Sequence, residues 1–425
     1  MKLTSYWLDT AEPAGDFRRR DLPARADVAV IGAGLTGLST ALHLARQGAD
    51  VVLMDAHTVG WGASGRNGGM ATTGLAISYP KAVARYGRDA AGTMFRAYND
   101  AIDTVEKLVA EEDIDCAFTR TGKMALACKP AHYAEFEKAA GMLAADLDYH
   151  VDLVPRERIR EEIGSDFYHG ASVDPLGAGL HVGKFCAGLA RAAVSRGVSI
   201  HEGCEVSGLR RISGRRHDVQ TSRGVVRADQ VVVATSGYTG HLTPWLQRRI
   251  VPIGSFIIVT EPLSPSVVGD LLPHRRMAAD SKNLLYYFRI TPDDRLLFGG
   301  RARFAMSSQE SDVKSGRILG KAMTRVFPQL EGTRIDYCWG GLVDMSLDQM
   351  VHAGERDGVL YSVGYSGHGV QMATHMGTVL ARMIAGDDSA NTWADLRFRA
   401  VPGHFGPPWF LPAAGAYYRL LDQAK

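Results

Sequence analysis

The apolar run Val28-Ala29-Val30-Ile31 is followed at once by Gly32-Ala33-Gly34-Leu35-Thr36-Gly37, the G-x-G-x-x-G pattern. Leu38, Ala41, Leu42 and Ala45 then recur at helical spacing, which predicts an amphipathic helix stopped by Gly48. A second apolar run, Val51-Val52-Leu53-Met54, ends in Asp55. Strand, glycine turn, helix, strand and acid in that order make a βαβ unit, and a carboxylate about 20 residues past the turn is placed to reach a ribose hydroxyl. Gly32 permits the tight turn, Gly34 lets the backbone approach a pyrophosphate, and Gly37 lets the helix pack closely. Unpaired N–H groups from Leu35 to Leu38, with the positive helix end, are expected to face two phosphate charges. The motif sets the working premise of dinucleotide binding.

A second glycine cluster separates this chain from an ordinary nicotinamide-binding domain, which would proceed into another βα unit. Instead comes Gly60-Trp61-Gly62-Ala63-Ser64-Gly65-Arg66-Asn67-Gly68-Gly69-Met70, a loop offering a hydroxyl, a guanidinium and an amide. Such a segment can lie along an extended cofactor and leave its ring uncovered. The chain holds 47 glycines among 425 residues, well above the usual ~7%. They gather at 32–37, 60–74, 299–300, 340–341 and 364–369, beside runs of strand character.

The 48 basic and 46 acidic side chains leave a net charge of +2, which gives no general attraction to a nucleic acid backbone. Five scattered cysteines, never in a C-x-x-C pair, indicate neither a disulfide framework nor a metal cage, and fit a reducing compartment. The first twenty residues lack the apolar core of a secretory signal, and no apolar run reaches the ~18 residues of a membrane span. A cytoplasmic protein is expected. Length alone suggests two or three domains at ~150 residues each.

The run from Ala26 to Gly69 resembles the flavoprotein amine oxidases of the D-amino acid oxidase and sarcosine oxidase superfamily, most closely the gamma-glutamylputrescine oxidase group. Val231 to Tyr238, Gly364-Tyr365-Ser366-Gly367-His368-Gly369-Val370-Gln371 and the tail Pro408-Trp409-Phe410-Leu411-Pro412 carry the same resemblance. It implies an α/β fold, α+β overall: a Rossmann-like FAD-binding domain beside a mainly antiparallel-sheet substrate domain. The expected organisation is an N-terminal extension (1–24), a discontinuous FAD domain (25–80, 150–237, 338–390), a substrate domain (81–149, 238–337) and a tail (391–425). FAD, held noncovalently, is the implied cofactor. Cofactor contacts are expected from Gly32, Gly34, Thr36, Gly37 and Asp55, from Ser64, Arg66, Asn67, Gly68, Gly69 and Met70, and from Gly367, His368, Gly369 and Val370. The resemblance adds Val206 at the adenine end and Thr235 and Ser236 near the phosphates.

Leu360 to Val363, Gly364 to Gly369 and Val370 to Ile384 read as a second strand, loop and helix. Amides at Gly369 and Val370 with the helix dipole would stabilise charge on a reduced ring, and His368 would add a donor. His368 and Asp344 are the candidate catalytic groups, and Tyr286, Tyr287, Arg289, Trp339 and Tyr365 the candidate substrate pocket. In an alternating strand Tyr287 and Arg289 share one face and Tyr286 and Phe288 the other, so one pair faces substrate. Gly341 stands where monomeric sarcosine oxidases carry the flavin-linking cysteine, with Cys338 out of register; Val343 and Gln371 stand where relatives hold a carboxylate. The expectation is oxidation of a primary or secondary amine with O2 as acceptor. The alternatives are a dehydrogenase passing electrons to a quinone or protein, and a flavin-free binding protein of the same fold. The oligomeric state is left open.

Overall fold

The computed structural model describes residues 1–300, 309–406 and 408–424; residues 301–308 of the expected substrate block, and 407 and 425 of the tail, lie outside the described residues. The first sheet grows from the βαβ unit. Arg25–Ile31 pairs in parallel with Val51–Met54 on one side and Gly224–Val233 on the other. Ser199–His201 and Val359–Val363 extend the parallel array outward, and His352–Arg356 closes one edge antiparallel. Val28 to Ile31 and Val51 to Met54 are buried throughout, as parallel strands covered on both faces must be. The apolar runs Val225–Ala228 and Gln230–Ala234 read by pattern as two short strands. They are one strand, Gly224–Val233, because Asp229 between them stays at the surface, paired with Arg216, without breaking the pleat.

Helix Leu35–Arg46 packs against helix Gly369–Ile384, so that both strand–turn–helix units open onto the same place. A Cβ at Gly377 would overlap the Ser39 side chain, and the Ser39 hydroxyl donates to the Thr374 carbonyl at 2.7 Å. Small residues at this crossing let the two helix starts approach.

The second sheet runs in the order 335–345, 251–260, 296–300, 286–290, 277–280, 123–126, 170–174, 152–155. It is antiparallel except where Lys123–Leu126 pairs in parallel with Met277–Asp280. Its members Asp152–Pro155 and Gly170–Asp174, and Ile335–Met345 from Cys338 onward, fall in stretches expected within the cofactor domain. Alternation explains the last: Cys338 points into the core beneath the second sheet and Trp339 into the core shared with the first, so the strand belongs to both. The apolar run from Leu284 becomes a strand only at Tyr286, because the Asn283 and Leu284 amides donate instead to the Asp422 carboxylate of the C-terminal helix Leu411–Ala424.

The N-terminal residues are part of the fold. Helix Tyr6–Asp9 buries Tyr6 and Trp7; the Trp7 indole donates to the Asn67 carbonyl at 2.7 Å and the Ser5 hydroxyl to the Gly65 carbonyl at 2.5 Å. Among the described residues no helix is long and apolar enough to cross a membrane.

Candidate active site

A cavity of about 1310 Å³ runs from the first glycine turn, along the second glycine loop, to the helix start at Gly369 and under the second sheet. At the turn Gly32 has φ +107°, and a Cβ there would come within 2.7 Å of the Ala234 carbonyl oxygen, so only glycine fits. Gly37 is not on the cavity wall. It acts by packing, since a Cβ would overlap the Gly32 carbonyl oxygen. The first helical amides differ from expectation. Leu35 N–H donates to the Ser64 hydroxyl at 2.9 Å and Leu38 N–H to the Gly34 carbonyl at 2.9 Å. A helix start leaves its first amides without helical partners, and Ser64 caps one of them; of the next two positions, Thr36 lines the cavity and Gly37 does not.

Asp55 lines the cavity with Val206. Its carboxylate accepts N–H groups of Ala33 and His57 at 2.7 Å each, while burial pushes its pKa up. A carboxylate has about four lone-pair sites, so two remain for a ribose. Asp55→Ala removes a charged acceptor worth ~1.5–3 kcal/mol and is expected to weaken FAD binding at least tenfold. Titration of the deflavinated variant with FAD measures this. Wild-type affinity in the variant contradicts the assignment. Thr235 also faces the cavity, its hydroxyl 2.7 Å from that of Thr239.

The second glycine loop is held from outside by its carbonyls. Besides the Ser5 and Trp7 contacts, the Arg66 carbonyl accepts the Trp339 indole N–H at 3.0 Å and the Gly69 carbonyl accepts from Arg289. Arg66 and Asn67 also brace the loop from within, and Arg66 reaches the Gly340 carbonyl at 3.2 Å as well. Arg66 donates to the Trp61 carbonyl at 2.7 Å, and Asn67 donates to the Ala63 carbonyl at 3.0 Å and accepts the Gly69 N–H at 2.8 Å. Ser64, Arg66, Asn67, Gly68 and Met70 border the cavity; Gly69 does not.

Three expected pocket residues are displaced from it. Arg289 is 7% exposed and off the cavity wall; its guanidinium donates to the carbonyls of Gly69, Leu180 (3.2 Å) and Ile290 (3.2 Å), and burial pulls its pKa down to about 10. It clamps the sheet to the loop through these main-chain oxygens. Tyr286 turns to the other face of its strand, against Phe298 and with the Lys282 ammonium 3.5 Å from its ring centroid. Trp339 is fully buried and serves the loop. The outward neighbour Tyr287 does line the cavity, its hydroxyl 3.0 Å from Ser255. Strand alternation put Tyr287 and Arg289 on one face, but the longer Arg289 side chain reaches past the wall to main-chain oxygens.

At the far end helix Gly369–Ile384 starts without a side-chain cap. A Cβ on Gly369 would have its nearest neighbour at 3.9 Å, so the protein leaves room there for a planar group. His368 borders this space; burial first, and then the Lys123 charge, lower its pKa to about 3, and its Nδ1 has no partner among the described residues. It is therefore a neutral imidazole and not an acid at pH 7. Tyr365 is tied to Thr36 by hydroxyls 2.7 Å apart, which joins the two helix starts. Gly369→Val is expected to leave the stability of the flavin-free protein within about 1 kcal/mol, since the added methyls enter open space. FAD retention should nevertheless be lost. Melting curves with and without added FAD test this, and a variant that still binds FAD normally places the ring elsewhere.

Asp344 caps the loop. Its Oδ2 accepts the Gly364 N–H at 2.6 Å, and the Ser236 hydroxyl and Tyr365 N–H add to it, yet burial dominates and raises its pKa to about 6. The folded state thus binds a proton more tightly than the unfolded chain between pH ~4 and ~6. Stability falls as pH rises through that window, by on the order of 3 kcal/mol for a shift of this size. Urea unfolding at pH 5 and pH 7 should show Asp344→Asn losing less stability on this rise than wild type does. Equal pH slopes would contradict the assignment.

Sequence reasoning missed Lys123, whose side chain enters the cavity from strand Lys123–Leu126. The signal was there: Met124 and Leu126 are apolar and buried while Lys123 and Ala125 share the opposite face. It also missed Trp61, stacked on His57 at 3.7 Å by the Asp55 end.

A mixed sheet with a parallel centre and two glycine-turn helix starts, joined by a shared cavity to a second, mainly antiparallel sheet, defines a flavoprotein oxidoreductase architecture. The chain belongs to the DAO family of FAD dependent oxidoreductases, whose model matches residues 27–383. It is 34% identical to a probable oxidoreductase OrdL of Haemophilus influenzae, over 99% of this chain and 97% of that protein. It is 32% identical to the gamma-glutamylputrescine oxidoreductase of Escherichia coli, over 99% of this chain and 98% of that protein. Among solved structures, glycine oxidase from Geobacillus kaustophilus superposes with a TM-score of 0.76 at 20% identity, covering 90% of this chain and all (100%) of that one.

Proposed function

We propose that the chain oxidises a primary or secondary amine at the carbon next to nitrogen, with FAD bound noncovalently in the cavity. The observation that carries this is the continuity of the cavity from Asp55 to the open helix start at Gly369 and on to Tyr287. When bound, FAD would supply a hydride acceptor at its N5, with O2 as the expected electron acceptor and H2O2 as its product. The protein's part is to place and desolvate the amine. Tyr287 and Tyr365 give an aromatic, poorly hydrated wall that favours the neutral amine, whose lone pair assists loss of the hydride. No side-chain base is needed: His368, its pKa lowered to about 3, is a weak proton acceptor, and Asp344 is engaged with the loop. The imine product then takes up water to give an aldehyde and ammonia or a smaller amine.

Noncovalent binding is supported by Cys338, which faces the second core and contacts the Asp312 carbonyl at 3.2 Å, while Gly341 lines the cavity. Precipitating the protein should release the yellow colour. An extended amine is favoured over sarcosine, glycine or simple D-amino acids. Val343 cannot hold a carboxylate, and Gln371, off the cavity wall, gives an amide N–H to the Thr72 carbonyl at 2.6 Å. The name of the Escherichia coli relative points the same way. Five free cysteines support a cytoplasmic setting. A dehydrogenase is the second reading: Lys282, a cation just before the substrate strand that could assist O2 reduction, is paired with Asp280 at 2.7 Å. Anaerobic bleaching of the holoprotein with primary and secondary amines and N-alkyl amino acids tests the reductive step, and readmitted O2 against a quinone separates the two acceptors. A colourless protein that binds no FAD would favour the flavin-free binding protein.

A further inference from the structure

Among the described residues three lysines line the cavity. Lys81 is exposed, and Lys282 is paired with Asp280. Lys123 differs from both. Its ammonium donates to the Thr73 carbonyl at 2.5 Å, and no carboxylate among the described residues lies within ion-pair distance. Its cross-strand neighbour Asp174 is committed elsewhere, accepting the Thr73 and Tyr149 hydroxyls at 2.6 Å each and the Leu176 N–H at 3.0 Å. Burial pulls the Lys123 pKa down, and the Asp174 charge opposes this.

An ammonium carries three donors, of which one is satisfied here. A buried cation with free donors costs free energy until an anion or water meets it. The position of this one is fixed at both ends. The Thr73 carbonyl follows the second glycine loop, and the next carbonyl back, that of Thr72, is held by Gln371 of the helix starting at Gly369. The Lys123 charge also acts on His368. The cation therefore stands where substrate sheet, glycine loop and helix start meet, on the wall that a bound amine must share. A carboxylate gives a charge-assisted hydrogen bond to such a donor set.

We propose that Lys123 is the specificity-determining cation of the substrate chamber and holds a carboxylate carried by the amine substrate. This rests on the reading of the chain as an amine oxidoreductase, and it transfers to Lys123 the anchoring role that Arg289 cannot fill.

The test uses the oxidised holoprotein at fixed ionic strength. Glutarate is titrated in, and binding is followed by the flavin absorption spectrum. Wild type should saturate, Lys123→Met should raise Kd at least tenfold, and Lys123→Arg should stay within a few-fold of wild type. Anaerobic flavin reduction by 5-aminopentanoate and by n-pentylamine gives the second readout. The preference for the carboxylate-bearing amine, as the ratio of kcat/KM values, should fall at least tenfold in Lys123→Met, mainly through KM. Retained flavin and melting temperature report folding, and Lys123→Gln, which keeps a donor for Thr73, replaces the methionine variant if that does not fold. Glutarate affinity and amine preference unaltered by loss of the charge would overturn the proposal, as would a wild type that binds no glutarate. If glutarate binds through Lys123 while no amine bleaches the flavin, the anion site stands and amine oxidation falls.

Discussion

Gly37→Ala is expected to abolish a stable holoprotein. The added Cβ would overlap the Gly32 carbonyl oxygen and lie 3.3 Å from Val30 Cγ1. Overpacking costs ~1–3 kcal/mol where side chains can yield. Here the obstacle is a peptide oxygen in a turn whose other face already abuts Ala234, so the cost should exceed about 3 kcal/mol. Against a total stability of about 5–15 kcal/mol, that is enough to lower soluble yield and to open the cofactor turn. Purified yield, melting temperature and flavin content measure it. A variant with native melting temperature and full flavin would mean that the helix and turn pack differently.

The second large effect concerns Arg289. Replacing it by leucine removes the bonds to the Gly69 and Leu180 carbonyls; Gly69 keeps the Leu180 N–H at 3.0 Å, so the cost of about 1–3 kcal/mol for an acceptor left unpaired falls on Leu180. Removing a cation whose pKa burial has drawn down to about 10 returns part of this. The carbonyl losses and the vacated volume win, for a net destabilisation of about 2–4 kcal/mol. The loop loosens with them, so flavin should be held more weakly. Activity on short and long amines should fall alike, because the lost contact touches no substrate. A variant of wild-type stability with KM raised only for long amines would return Arg289 to the substrate chamber.

The sequence made the cofactor side legible because its constraints are local. A glycine that only a tight turn accepts, an apolar run and an acid at fixed spacing are all read within thirty residues of Val28. The substrate side is built by long-range pairing. Lys123 is brought beside Met277 and Asp174 by registers that no spacing announces. Whether an arginine reaches solvent, substrate or a carbonyl depends on what lies past its strand, and for Arg289 that is Gly69, 220 residues away. Ser64 escaped as a helix cap for the same reason, lying 29 residues from the Leu35 amide that it accepts. Tyr287 was reached because alternation along one strand is again a local rule.

The outside grip on the second glycine loop has a consequence for its polarity. In a planar trans peptide the carbonyl and the following N–H point in opposite directions. With the oxygens of Arg66 and Asn67 drawn toward Trp339 and Trp7, the amides of Asn67 and Gly68 are turned the other way. Successive amides facing one side build a positive partial potential from the main chain. Such a potential has no proton to lose. The attraction it offers an anionic ligand is therefore insensitive to pH, unlike one assembled from lysines or histidines, and it is set by two indoles that never touch the ligand.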